Sequence, residues 1–354
     1  MNPNPTFKLK FLLICFSGFL WLALQLLLPV NLYTFRTWEA LFLPGAKPAP
    51  FLPSRRLQMV ETGDLAAHSK HGIPKNVVFE TDEWGYRNSF PACDNPEFII
   101  IGDSMAAGGS LSQDETVSAR LSRASGACVR SFGGGNVNRA LELVFGVLKL
   151  HPKEVILIQS QRGAGTQKPF LDPSDPEPWP LIGNKSLRSL LVSFFQIRKN
   201  LYWNFRGIHG VYDAIKRTGA LENQPYLEYP WIEPKMLYFF GEWDRYLGED
   251  EIRRDRIHLS EFAKNLAKIN SLLTVVLVPN KSSIYSGPFQ VRDPDFYSRY
   301  SAAMKGSNFR LIDLSIPFKD DYARGILNHH LDDTHWNVHG VESLIHALGF
   351  KAPP

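Results

Sequence analysis

Two short stretches carry residue types able to do covalent chemistry. One is Ile100-Ile101-Gly102-Asp103-Ser104, and the other, near the C-terminal end, is Asp332-Asp333-Thr334-His335-Trp336-Asn337. A serine hydroxyl is a weak nucleophile at neutral pH and needs an adjacent base. An imidazole needs a third group to fix its tautomer and to stabilise its cation. Ser104, His335 and one of Asp332 or Asp333 would supply nucleophile, base and acid. The residues alone leave the choice of acid open: Asp332 stands three residues before the histidine and Asp333 two.

These residues need a scaffold that brings distant segments to one edge. Phe98–Ile101 is a short apolar run, as expected of a buried parallel strand delivering Ser104 to its tip. Val129–Phe132, Val155–Ile158, Leu272–Val278 and Phe309–Asp313 read as further strands. Helical patterns fall between or after them: Asp114–Ala124 with Asp114 as N-cap, Asn136–Leu150, Glu249–Asn270, Asp293–Lys305 and Val338–Leu348. Short apolar strands alternating with helices predict an α/β fold with a parallel sheet and right-handed crossovers. The C-terminal edge of such a sheet faces the site, which places Gly133-Gly134-Gly135 and Gln161-Arg162 there as well. Residues 163–247 break the rhythm with a Pro/Asp-rich loop and many aromatics, among them Trp203, Tyr226, Tyr229, Trp231, Phe239, Phe240 and Trp243. They read as an insertion with helical pieces, whose aromatics would serve as core or as stacking faces for sugar rings.

Gly102-Asp103-Ser104 with a C-terminal Asp-x-x-His resembles the SGNH/GDSL hydrolase superfamily. Asp333-Thr334-His335-Trp336-Asn337 followed by Gly340 is similar to its alginate O-acetyltransferase-like branch, as is Val278-Pro279-Asn280-Lys281 with Tyr285, while Gln159-Ser160-Gln161-Arg162 sits where that branch often has a Glu-Arg pair and ordinary SGNH hydrolases have an Asn-Asp block. Phe79–Asn88 resembles the lead-in to the first strand in membrane-tethered SGNH proteins. The resemblance spans roughly residues 77–350 and implies a three-layer flavodoxin-like SGNH fold. It further implies an acyl-serine on Ser104, with His335 as base and Asp333 or Asp332 as acid. The oxyanion donors would be the amides of Ser104, at a helix start, and Gly133, with Gln161 or Arg162 at the oxyanion or substrate. No cofactor is needed. The reading is a serine O-acetyltransferase acting on an exported polysaccharide, supplied by a membrane-bound acyl-donor protein. The serine-first order is that of ordinary SGNH esterases, so an esterase or lipase-like acylhydrolase on a small ester is the alternative. A glycan-binding protein without turnover is the third reading.

A chain of 354 residues can bury a large core. Its net charge of +4, without a dense Lys/Arg block, gives nucleic-acid binding little support. Phe11–Val30 holds no charged residue and follows Lys8 and Lys10. Twenty residues at about 1.5 Å each match a bilayer core of about 30 Å. The flanking lysines predict a cytoplasmic N-terminus and a periplasmic or extracellular catalytic domain. A cleaved signal peptide fits less well, the run being long and without a small-x-small site. The expected plan is a stub and transmembrane anchor (1–33), a linker and shoulder (34–76) and the catalytic domain (77–354). Cys93 and Cys128 precede neighbouring strands, and an oxidising compartment would permit a bridge between them; two buried free thiols are the alternative. His329, His330, Asp332, Asp333, His335 and His339 raise a divalent-metal site, against which the pairing of His335 with Ser104 weighs.

Overall fold

The computed structural model describes residues 5–27, 36–42, 49–66, 72–89, 91–166, 169, 226–229, 236–239, 246–285 and 293–351. Helix α1, Pro5–Leu27, carries most of the apolar run. Its described large apolar side chains, from Leu9 to Leu20, are exposed. Among the described residues no helix is long and apolar enough to cross a membrane; the side chains described on α1 end at Leu20.

After α1 come a short helix α2 (Thr37–Leu41) and two antiparallel strands, β1 (Arg56–Glu61) and β2 (Lys75–Glu80). The main sheet contains β3 (Phe98–Gly102), β4 (Val129–Gly133), β5 (Glu154–Ser160), β8 (Leu272–Val278) and β9 (Arg310–Asp313). All its pairs are parallel, in the order β4-β3-β5-β8-β9. Counted along this sheet the order is 2-1-3-4-5, consistent with a flavodoxin-like fold, and β3 and β5 flank the point where the winding reverses. Strands β6 (Tyr226–Tyr229) and β7 (Met236–Phe239) form a separate antiparallel pair.

Alternate residues of the sheet feed two cores. Ile99, Ile101, Val155, Leu157, Val275 and Leu277 pack under α4 (Val137–Leu141), α5 (Glu249–Ala267) and α7 (Phe296–Met304). Ile100, Ile156, Ile158, Val276 and Val278 pack under α3 (Val117–Ser125), α8 (Ser315–Ala323) and α9 (Val338–Ala347). Strand side chains alternate between faces, so a continuous apolar run here means burial on both sides, and three layers result. The short helix α6 (Lys281–Ile284) follows β8.

Several expected boundaries shift. Asp114 is not the cap of α3; Thr116 is, accepting from the Ala119 N–H at 3.3 Å. Asp114 instead lies in a single 3₁₀ turn, Gln113–Glu115. The helix expected to Leu150 ends as a wide π turn, Glu142–Val147. The insertion's expected helical pieces, with Trp203, Trp231, Phe240 and Trp243, lie outside the described residues. Cys93 and Cys128 are bridged, with Cα atoms 6.1 Å apart, which pins edge strand β4 to the segment entering β3.

Candidate active site

Ser104 stands where β3 leaves the sheet. At Gly102 φ is +145°, and a Cβ there would lie 1.9 Å from the Ile158 carbonyl oxygen. Glycine is therefore required for the strand to end this close to β5. Asp103 then folds the turn. Its Oδ1 accepts from Met105 N–H (2.9 Å), and its Oδ2 accepts from the N–H and hydroxyl of Ser160 (3.0 and 2.9 Å). Ser104 opens a run of turns rather than the expected helix. That run is held from outside by Arg87, fully buried, whose guanidinium donates to the carbonyls of Gly108, Leu111 (2.6 Å) and Ala107 (3.3 Å) and stacks on Phe79. Burial lowers the Arg87 pKa to about 10.

His335 reaches the serine from a turn between Asn328 and α9. Asn337 caps α9, accepting from His339 and Gly340 N–H, and its amide donates to the carbonyls of Leu327 (2.7 Å) and His329 (3.2 Å). His335 Nε2 lies 2.8 Å from Ser104 Oγ, and its Nδ1 lies 2.5 Å from Asp333 Oδ1. A carboxylate only accepts, so Nδ1 carries the proton and the Nε2 lone pair faces the serine. Gly109 lies against the same ring: a Cβ there would come within 2.8 Å of Nε2.

The two candidate acids are separated by their partners. Asp333 is fully buried beside His335, and its Oδ2 accepts from the Ser110 hydroxyl and from Asp64 N–H (2.8 Å), with Arg36 at 3.6 Å. Burial opposes ionisation of Asp333, but His335 and Arg36 outweigh it and hold the carboxyl well below its usual range. Asp332 does not touch the imidazole. Its Oδ2 accepts from the N–H groups of Gly63 and Ile73, both at 2.8 Å, and so fastens the shoulder to the histidine turn.

The expected oxyanion donors fare unequally. Gly134 N–H bonds to Gly102 and Asp103 carbonyls at 3.0 Å, so Gly133 faces the outer edge of β4, where its N–H donates to Ser131 Oγ at 3.4 Å. A Cβ at Gly133 would meet the Ala106–Ala107 backbone at 2.6 Å, so this strand end packs directly on the Ser104 turn. Gln161 Oε1 accepts from Asn280 N–H (3.3 Å), Ser283 (2.7 Å) and Tyr297 (2.5 Å). Those bonds fix its amide so that the NH₂ end is the one left to donate. Arg162 carries its guanidinium over the Phe239 ring, 5.0 Å from the centroid.

The histidines expected to raise a metal site are dispersed. His329 is buried between Tyr285 (3.2 Å) and the Pro279 carbonyl (2.9 Å), and burial and nearby Lys281 lower its pKa to about 3. Among the described residues, Asp64, Asp333 and His335 are the one group of three whose ligand atoms all lie within 4.8 Å of one another, and the Asp333 oxygens are engaged as above. Fully buried Lys281 donates to the Leu237 and Leu331 carbonyls (3.0 and 3.1 Å), joining β7 to the histidine turn.

Sequence reasoning missed Arg36, Asp64 and Ser110. Ser110 follows a Gly-Gly pair in a turn, and the other two lie in a stretch read as linker. None carries a local pattern that marks it. Neither a protein-family model nor a curated protein matches this chain, so a reading of the site rests on its geometry.

Proposed function

We propose that the protein is a serine acyl-transfer enzyme of SGNH type, most closely a polysaccharide O-acetyltransferase held at a membrane by α1. The observation that carries the reading is the chain Ser104–His335–Asp333, with contacts of 2.8 and 2.5 Å. His335 Nε2 takes the Ser104 proton as Oγ attacks the acyl carbonyl, and Asp333 stabilises the imidazolium. The tetrahedral oxyanion faces the Ser104 amide, with the Gln161 NH₂ as a second donor. Collapse expels the donor's alcohol, protonated by His335, and leaves acyl-Ser104. His335 then deprotonates a sugar hydroxyl, which takes the acyl group and frees the serine.

Transfer to a sugar is favoured over hydrolysis by the likeness of Asp333–Asn337 and Val278–Lys281 to the alginate-type motifs. Export is supported by the Cys93–Cys128 bridge and by the exposed apolar face of α1. The test is acetyl release from p-nitrophenyl acetate, with and without an oligosaccharide acceptor, by the wild type and Ser104→Ala. An acetylated oligosaccharide is the expected product. Acetate alone would make the protein an esterase; turnover by Ser104→Ala would refute the serine mechanism; oligosaccharide binding without turnover would leave a glycan-binding protein.

A further inference from the structure

We propose that Asp64 is a positioning residue of the acid–base pair, supplying a second carboxylate beside His335 and holding the turn that carries it. The proposal rests on reading Ser104, His335 and Asp333 as a serine acyl-transfer triad. Asp64 comes from the shoulder, yet its carboxylate accepts from the Thr334 N–H (2.7 Å) and hydroxyl (2.5 Å). Its own N–H donates to Asp333 Oδ2 at 2.8 Å, and its Oδ2 lies 3.8 Å from His335 Nδ1. One residue therefore grips both residues that precede His335 in the turn, Asp333 and Thr334.

The surrounding charges give the second carboxylate work to do. Asp333 and His330 lie on the same turn as His335, Asp64 and Arg36 come from the shoulder, Lys75 from β2, and Lys281 and His329 stand behind. Three of these are fixed cations, and Arg36 sits 3.6 Å from Asp333, where it offsets the negative charge that an imidazolium needs. Asp64 restores that charge when the Ser104 proton arrives on Nε2. Burial and the proximity of Asp333 push its pKa up, while His335 and Arg36 oppose them: a carboxylate that gains most when the imidazole is charged.

Asp64→Asn tests this with little change in shape. The Asn oxygen still accepts from Thr334 N–H, and its NH₂ can donate to the Thr334 hydroxyl. The measurement is the rate of covalent labelling of the full chain by a serine-directed phosphonate between pH 5 and 9, alongside thermal unfolding. The expected result is a folded protein labelled about tenfold more slowly, ~1.4 kcal/mol of barrier. The acid limb of its pH profile should move down by about half a unit, because loss of a nearby negative charge disfavours the imidazolium. Wild-type rate and profile in Asp64→Asn would overturn the proposal, as would a slower rate with an unmoved acid limb, which means a structural prop only. Should Asp64→Asn fail to fold, Asp64→Glu and Asp64→Gln carry the same comparison: Glu keeps the wild-type limb and Gln shifts it. Identical limbs, or two unfolded proteins, would sink the idea. Labelling that persists in Ser104→Ala would instead refute the triad reading itself.

Discussion

The Ser104 turn takes its hydrogen bonds from the sheet it leaves, Asp103 to Ser160 at the end of β5 and Gly134 to Gly102 and Asp103, and from Arg87 in the segment leading into that sheet. The His335 turn takes them from all over the chain. Gly63, Asp64 and Ile73 reach it from the shoulder, Ser110 from the nucleophile loop, and Lys281 from the end of β8. A nucleophile can thus be placed by one strand end and its neighbours, while the base and acid depend on contacts that only the finished fold provides. Perturbations of the two turns should differ accordingly: near Ser104 they act on chemistry, and around His335 they act on chemistry and stability together.

The largest expected effect is on the acid itself. Asp333→Asn should lower single-turnover acylation by about 10⁴, since it favours the wrong tautomer and leaves the imidazolium unstabilised. Asp332→Asn should lose less than about tenfold; equal losses in the two would break the distinction drawn between them. Next is Gly109→Ala, whose methyl would push on His335 Nε2 without altering any triad residue. A displacement of this kind costs on the order of 10² in turnover, measured as acylation rate with the unfolding midpoint unchanged. Asp332→Ala is the converse case. It strands the N–H groups of Gly63 and Ile73 and should cost about 1–3 kcal/mol of stability, read by denaturant unfolding. The last effect is confined to acid pH. His329 has a folded pKa of about 3 against an ordinary 6.5, so below about 6.5 the unfolded chain binds a proton that the native chain does not. Stability should fall as pH drops from about 6.5 towards 3, and His329→Gln should flatten that fall in thermal melts.

Strands β3, β5 and β8 were legible because each is largely an apolar run buried on both faces, a pattern that survives without knowledge of partners. Ser104 and His335 were legible because the chemistry needs those types and the motifs are local. The choice between Asp332 and Asp333 was not, since either spacing reaches an imidazole and only the backbone path decides. Which N–H of the three adjacent glycines faces which neighbour was not legible, because they look alike in sequence, whereas strand register turns alternate N–H groups in opposite directions. The shoulder was read as a linker from its prolines, which exclude long helices but not a five-residue helix and two strands. Nothing local tells that Arg36 or Asp64 ends beside Asp333, 297 and 269 positions later.

The contacts of Asp333 also set an order of events during synthesis. Its carboxylate gathers groups from residues 36, 64 and 110 around an imidazole at 335, in a chain of 354. Until residues 333–335 have emerged, the emerging protein carries Ser104 without the imidazole and without the carboxylate of Asp333 that pairs with it. On the proposed mechanism, a polypeptide clipped before residue 333 holds the serine without its base or its acid.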